Sequence, residues 1–164
     1  MKMNKLLAVG MMVLSLAACS KKQNTAPDSG ANSGVVTDSD INSSAADSDS
    51  GNAMGIQTIR FPFDSFEIVG ENREILNNNV KILKDNPTVA VQIEGHCDER
   101  GGIQYNLALG EKRANAVKQQ FVAKGIAGSR LTTISMGKEK PVATGSGEEA
   151  WAQNRRANFV ITAK

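Results

Sequence analysis

From Ile56 onward, apolar residues recur in two rhythms, and each rhythm marks an element. Ile56-Gln57-Thr58-Ile59-Arg60-Phe61-Pro62-Phe63 alternates apolar with polar as a half-buried strand does, with Pro62 near its end, where a missing amide is tolerated. Over Glu71 to Lys84, the residues Ile75, Leu76, Val80 and Leu83 fall at near-helical spacing, and Asn86-Pro87 stops the run. Alternation returns in Val89 to Glu94, with Val89, Val91 and Ile93 on one face. The clearest helix follows: Ile103, Leu107, Gly110, Ala114, Val117 and Phe121 form one continuous stripe, which Gly125 ends. Leu131 to Gly137 reads as a third strand, Glu148 to Asn154 as a short helix and Ala157 to Thr162 as a final strand.

This order, β-α-β-α-β with a short extra helix and a final strand, predicts an α/β domain of the two-layer α+β sandwich kind. It has about four strands and helices on one face, and its roughly 110 residues are ample for one core. Gly110 and Ala114 within the stripe predict close approach of helix and sheet. Asn106 and Arg113 fall on a different line at the stripe's edge, where the helix meets solvent. Truncating Arg113, or Asp98 in the preceding turn, is therefore expected to leave stability nearly unchanged.

The rhythm is absent before Ile56. Residues 1–18 carry Lys2 and Lys5, an apolar run from Leu6 to Leu14, and small residues before Cys19, the pattern of a secretory leader. That run falls short of the ~20 apolar residues a membrane span needs. Leu16-Ala17-Ala18-Cys19 resembles a bacterial lipobox, in which the cysteine is acylated and becomes the new amino terminus; the alternative is an ordinary leader ending near Ala18. A lipidated Cys19 anchors the chain without a helix, since each buried methylene contributes about 0.8 kcal/mol. Ser20 after it resembles lipoproteins sorted to the Gram-negative outer membrane.

Residues 19–54 are rich in Ser, Asp, Asn, Gly and Ala, with few large apolar residues, and are expected to form a disordered tether. Such a coil spans roughly 30–35 Å on average. It carries a net charge of minus three, as a spacer held off an anionic surface or simply as an acidic polar segment. The expected folded domain, residues 55–164, holds fifteen basic and twelve acidic residues. That excess is slight, aromatic residues are sparse and no basic stripe appears, which argues against nucleic acid as a partner.

The chemistry concentrates in Glu94-Gly95-His96-Cys97-Asp98-Glu99-Arg100-Gly101-Gly102, a glycine-rich turn between strand and helix. With Cys19 lipidated, Cys97 is left without a disulfide partner. Successive strand side chains point to opposite faces, so His96 and Cys97 cannot act as a base and nucleophile pair. One His and one Cys also fall short of a zinc site, and four consecutive residues cannot converge on one reacting carbon. Cys97 is expected to be packed and inert, His96 to orient or pack, and the domain to be no enzyme, with no cofactor or metal. Asp98 and Arg113 remain, as a two-sided grip for a zwitterion or as a plain salt bridge between turn and helix.

Phe63-Asp64, Glu94 to Gly101, Tyr105 to Val117, Gly137-Lys138-Glu139-Lys140-Pro141 and Asn154-Arg155-Arg156-Ala157 together resemble the peptidoglycan-associated lipoprotein branch of the OmpA-like domain family, in order and spacing, over roughly Ile59 to Thr162. The resemblance implies non-covalent binding of the peptidoglycan stem peptide through meso-diaminopimelate, with Asp98 and Arg113 gripping the ligand. A carboxylate beside a guanidinium matches the ammonium and carboxylate that this residue carries on one carbon. Asn106, Arg100, Phe63, Asp64 and Arg155 enter as secondary ligand-binding residues. Asn106 could instead be ordinary helix-surface polarity, Phe63 core, and Arg155 with Arg156 a solvated pair or contacts to strand ends. Where many relatives carry a tyrosine this chain has Phe66, so that hydroxyl's contact is lost. The resemblance further implies a place in the Tol-Pal system of cell division, with the periplasmic TolB propeller as a partner, on a lipid-anchored outer-membrane protein facing the periplasm. The alternative is a structural envelope lipoprotein that binds only protein partners.

Overall fold

The computed structural model describes residues 46–164. The leader, Cys19 and most of the expected tether lie outside the described residues. In chain order the elements are β1 (Ile59–Arg60), α1 (Asn72–Asp85), β2 (Ala90–His96), α2 (Ile103–Ala123), a 3-10 turn (Gly128–Arg130), β3 (Leu131–Gly137), α3 (Glu148–Asn154) and β4 (Arg156–Ala163). The sheet order is β1-β4-β2-β3: β2 runs parallel to β3 and antiparallel to β4, and β1 is antiparallel to β4. This is the α+β architecture the sequence predicts.

One face of the sheet and the apolar stripes of α1 and α2 enclose the core. Ile59, Val91, Ile93, Ala157 and Phe159 meet Leu76, Val80, Leu83, Ala114, Val117 and Phe121 there, and the rings of Phe121 and Phe159 stack at 5.7 Å. Gly125 ends α2 as expected. At φ +93° it lets its own amide bond Val122 O and the next amide, Ile126, bond Phe121 O, with Ile126 and Phe121 both in the core. Arg130, which the sequence pattern did not single out, closes the other helix by donating to the carbonyls of Leu83, Asn86 and Val89, each at 2.8 Å.

Three expectations are corrected. The first strand, expected over Ile56 to Phe63, forms a ladder only at Ile59–Arg60. Upstream, the Asn79 side chain occupies both the amide and the carbonyl of Gln57, at 2.9 and 2.7 Å; downstream, Pro62 has no amide to give. The tether, expected to run to residue 54, ends earlier. Ile161 donates its amide to Ala46 O and Ser48 donates to Phe159 O, completing the β4 edge that β1 is too short to cover, and Ala53 is fully buried in the core. The stripe of α2 also starts late: Ile103 is exposed, whereas Asn106 and Arg113, expected at the solvent boundary, are buried.

Candidate functional site

The end of β2, the turn after it and the start of α2 are held together by close backbone contact. A Cβ on Gly95 would fall 1.8 Å from Gly110 O, and one on Gly110 would fall 2.3 Å from Ser135 Oγ. With no side chain on either residue, α2 lies directly on β2 and brings its buried Arg113 under the Cys97-Asp98 turn. A cavity of about 270 Å³ opens at this junction. Its walls include Phe63 and Asp64 from the loop after β1, Asp98 and Arg100 from the turn, and Tyr105, Asn106 and Arg113 from α2.

Asp98 and Arg113 thus border one cavity, but they form no salt bridge with each other, so the plain turn-to-helix ion pair is not what holds them. Arg113 is fully buried and meets carbonyl oxygens instead: Nε donates to Ser65 O at 2.9 Å, one terminal nitrogen to His96 O at 2.7 Å and the other to Pro62 O at 3.2 Å. It also lies 5.2 Å from the Phe61 ring centre. Burial draws its pKa down, partly offset by Cys97 and Asp98 nearby, yet a guanidinium stays charged at any physiological pH. A positive charge therefore sits in the cavity wall without a carboxylate partner, and it ties the loop after β1 to the end of β2.

Asp98 is 5 % exposed and has two cationic partners. Arg100 donates through Nε to Oδ1 at 3.0 Å and through a terminal nitrogen to Oδ2 at 2.7 Å, and its backbone amide adds a bond of 3.1 Å. Arg155 reaches Oδ2 at 3.4 Å and is braced by Phe61 O and Glu148. Burial pushes the Asp98 carboxyl up, but the bonds and charge of Arg100, with Arg155, outweigh it and leave the pKa below the ordinary carboxylate value.

The remaining expected residues divide. Phe63 is 61 % exposed, so it walls the cavity and is not core. Asp64, at φ +50°, accepts a hydrogen bond from the Tyr105 hydroxyl, and both residues line the cavity. The bond to Asp64 also raises the Tyr105 pKa. Asn106 donates to Arg100 O at 2.8 Å and so holds the turn's shape. Buried at the cavity, it is not helix-surface polarity. Arg155 joins the site, whereas Arg156 is spent elsewhere, on Asp49 at 2.7 Å and the carbonyls of Lys140 and Asn154; neither is a solvated charge. Phe66 lies outside this cavity, beside a larger groove between α1 and α2 that lacks a comparable buried pair of opposite charges.

Cys97 is packed as expected. Its thiol donates to Asn106 O at 3.3 Å and lies 3.4 Å from Arg113, and burial pushes its pKa up, away from the thiolate a nucleophile needs. His96 is buried on the opposite side of β2, with Nε2 3.4 Å from Glu94 Oε2, close enough for an ionic contact but outside hydrogen-bond geometry. Glu94, which accepts a hydrogen bond from Asn158, has its pKa lowered chiefly by the neighbouring His96. Trp151 was missed by sequence reasoning: its indole N–H donates to Glu99 at 3.0 Å, and Arg100 lies 3.9 Å above its ring and 4.2 Å from that of Phe63. No local pattern marks it, because it arrives from α3, far along the chain.

A four-stranded α+β sandwich carries a charged cavity at the strand-to-helix turn. The chain belongs to the OmpA family, whose model matches residues 60–155. It is 40 % identical to the peptidoglycan-associated lipoprotein of Pseudomonas aeruginosa, over 97 % of each chain, and 39 % identical to that of Haemophilus influenzae, over 95 % of this chain and 96 % of that one. The crystal structure of the peptidoglycan-associated lipoprotein from Burkholderia pseudomallei superposes with a TM-score of 0.62 at 42 % identity, covering 64 % of this chain and 89 % of that chain.

Proposed function

We propose that this chain binds peptidoglycan non-covalently, through the meso-diaminopimelate of the stem peptide. The carrying observation is that a buried carboxylate, Asp98, and a buried guanidinium, Arg113, border one cavity without pairing with each other. A group bearing an ammonium and a carboxylate on one carbon offers each wall its complement: the ammonium faces Asp98, and the carboxylate faces the end of the cavity made positive by Arg113. A stem peptide carrying lysine at that place lacks the second carboxylate and leaves the positive end unmatched. The relatives' names, peptidoglycan-associated lipoproteins, support peptidoglycan as the target.

In this reading Cys19 carries the lipid that anchors the chain in the outer membrane, and the domain faces the periplasm and ties membrane to wall. The lipobox pattern at Leu16 to Cys19 and the relatives' designation as lipoproteins support the anchor. The family resemblance supports a place in the Tol-Pal system, with the TolB propeller as a protein partner, and no catalysis. Co-sedimentation with purified sacculi, with and without excess diaminopimelate-containing tripeptide, tests the proposal. The chain should pellet with sacculi and be released by the peptide. A chain that stays in the supernatant would instead be an envelope lipoprotein with protein partners only, and release of soluble muropeptides would mark a hydrolase.

A further inference from the structure

Arg100 stands where a ligand ammonium would have to sit. Its fork covers both oxygens of Asp98, so the carboxylate that would receive the ammonium is already matched. The two cations on Asp98 are held in different ways. Arg155 is 5 % exposed and anchored also by Phe61 O and Glu148. The Arg100 side chain is 32 % exposed, and beyond Asp98 it meets the faces of Phe63 and Trp151 and a distant Glu148 oxygen at 3.9 Å. Stacking of this kind holds a guanidinium against a ring face without using its N–H donors. Arg155 is therefore the more enclosed of the two, and Arg100 is the one that solvent and a ligand can reach.

Arg113 differs again, because it is fully buried and most of its donors are committed to backbone carbonyls and Cys97. It supplies positive potential, but the accessible guanidinium at the cavity mouth is that of Arg100.

We propose that Arg100 is the specificity residue of this cavity: it releases Asp98 to the ligand's ammonium and takes the ligand's carboxylate in exchange. The inference rests on the reading that an ammonium-bearing stem peptide enters here. A zwitterion completes the exchange, since each ion that loses a partner gains one. A ligand with an ammonium alone displaces Arg100 and gives its fork nothing in return, so the internal ion pair competes against it. The Phe63 and Trp151 rings keep the released guanidinium at the mouth, within reach of the incoming carboxylate.

Two measurements on the full chain in detergent micelles test this, using tripeptides that differ only in diaminopimelate or lysine at the third position. In the parent, the diaminopimelate peptide should bind more tightly. In Arg100→Gln, it should weaken about tenfold and the lysine peptide should tighten about tenfold, the loss or relief of roughly one charge-assisted contact pair, so the preference collapses. Trp151 is the chain's single tryptophan and reports the exchange directly. Its emission should shift when the parent binds the diaminopimelate peptide and stay unchanged when Arg100→Gln binds either peptide. Arg100→Lys, which keeps the charge but not the fork, should fall between. An Arg100→Gln chain that binds with the parent's preference overturns the exchange while leaving the ligand reading intact. A parent that binds neither peptide overturns both.

Discussion

Gly95 and Gly110 touch backbone to backbone: a methyl group on Gly95 would lie 1.8 Å from the Gly110 carbonyl oxygen. Strand β2 and helix α2 approach this closely only because both positions lack a side chain, and the approach sets the depth at which Arg113 passes under the Asp98 turn. Gly95→Ala and Gly110→Ala should each destabilise the fold by about 3 kcal/mol or more, because the atoms that would have to give way include backbone. Thermal melts should show a drop on the order of 10 °C. Gly102→Ala is the control: that residue has open space around its Cβ direction and an extended φ of −76°, so it should lose no more than about 1 kcal/mol, the cost of alanine at the N-cap of α2.

Arg113→Ala should destabilise as well as abolish wall binding. It would strip the carbonyls of Pro62, Ser65 and His96 of their shared donor and leave a void in place of a fully buried side chain. A loss of about 2–4 kcal/mol is expected from unpaired buried carbonyls and the cavity together. Urea denaturation measures it directly. Arg113→Lys retains the charge and can reach fewer of the three carbonyls, so its stability should lie between those of parent and alanine variant. An Arg113→Ala chain as stable as the parent would mean that the loop after β1 is held by other contacts.

This burial marks the limit of what the sequence showed. The rhythms of Val89 to Glu94 and Gly110 to Phe121 are local, since each residue's environment follows from its own element, and they are enough to mark β2 and most of α2. Asp98 and Arg113 were legible as a pair because one turn and two helical turns fix their neighbourhood. That Arg113 is buried depends on carbonyls of Pro62 and Ser65, about fifty residues upstream, and a charged side chain on a helix carries no mark of such partners. Arg100, expected as a ligand contact, is first of all the partner of Asp98, and a sequence with several charges in one turn does not say which of them pair. Residues 46–53 read as tether because their anchoring runs through backbone amides, the polar side chains of Ser48 and Asp49 and a small alanine, which leave almost no hydrophobic signature.

Cys19→Ala should remove the membrane anchor and leave the domain intact. If the Leu16 to Cys19 pattern is read as a lipobox, the variant should lose incorporation of labelled fatty acid and should disappear from outer-membrane fractions after wall digestion. Its purified domain should still co-sediment with sacculi, since no residue of the cavity lies near this position in the chain. Recovery of Cys19→Ala in the membrane fraction at the parent's level would contradict acylation as the anchor.

The stability that Asp98 contributes should depend on pH in one direction. Its folded pKa lies below the unfolded value of about 3.9, because Arg100 and Arg155 favour the carboxylate more than burial disfavours it. A depressed carboxyl pKa means that the unfolded chain takes up the proton first as pH falls. The contribution is therefore complete above about pH 5, declines as pH drops below the unfolded value, and is gone once pH passes the folded value. Asp98→Asn removes the charge while keeping the shape. At pH 7 it should be less stable than the parent by about 1.5–3 kcal/mol, the range for hydrogen bonds to a charged group. Melting both proteins between pH 7 and pH 2 should show the gap constant down to about pH 5 and narrowing below pH 4. Glu94, whose pKa is also lowered, titrates equally in both chains and cancels in the difference. A gap that widens as pH falls would show that Arg100 and Arg155 do not stabilise the ionised form of Asp98.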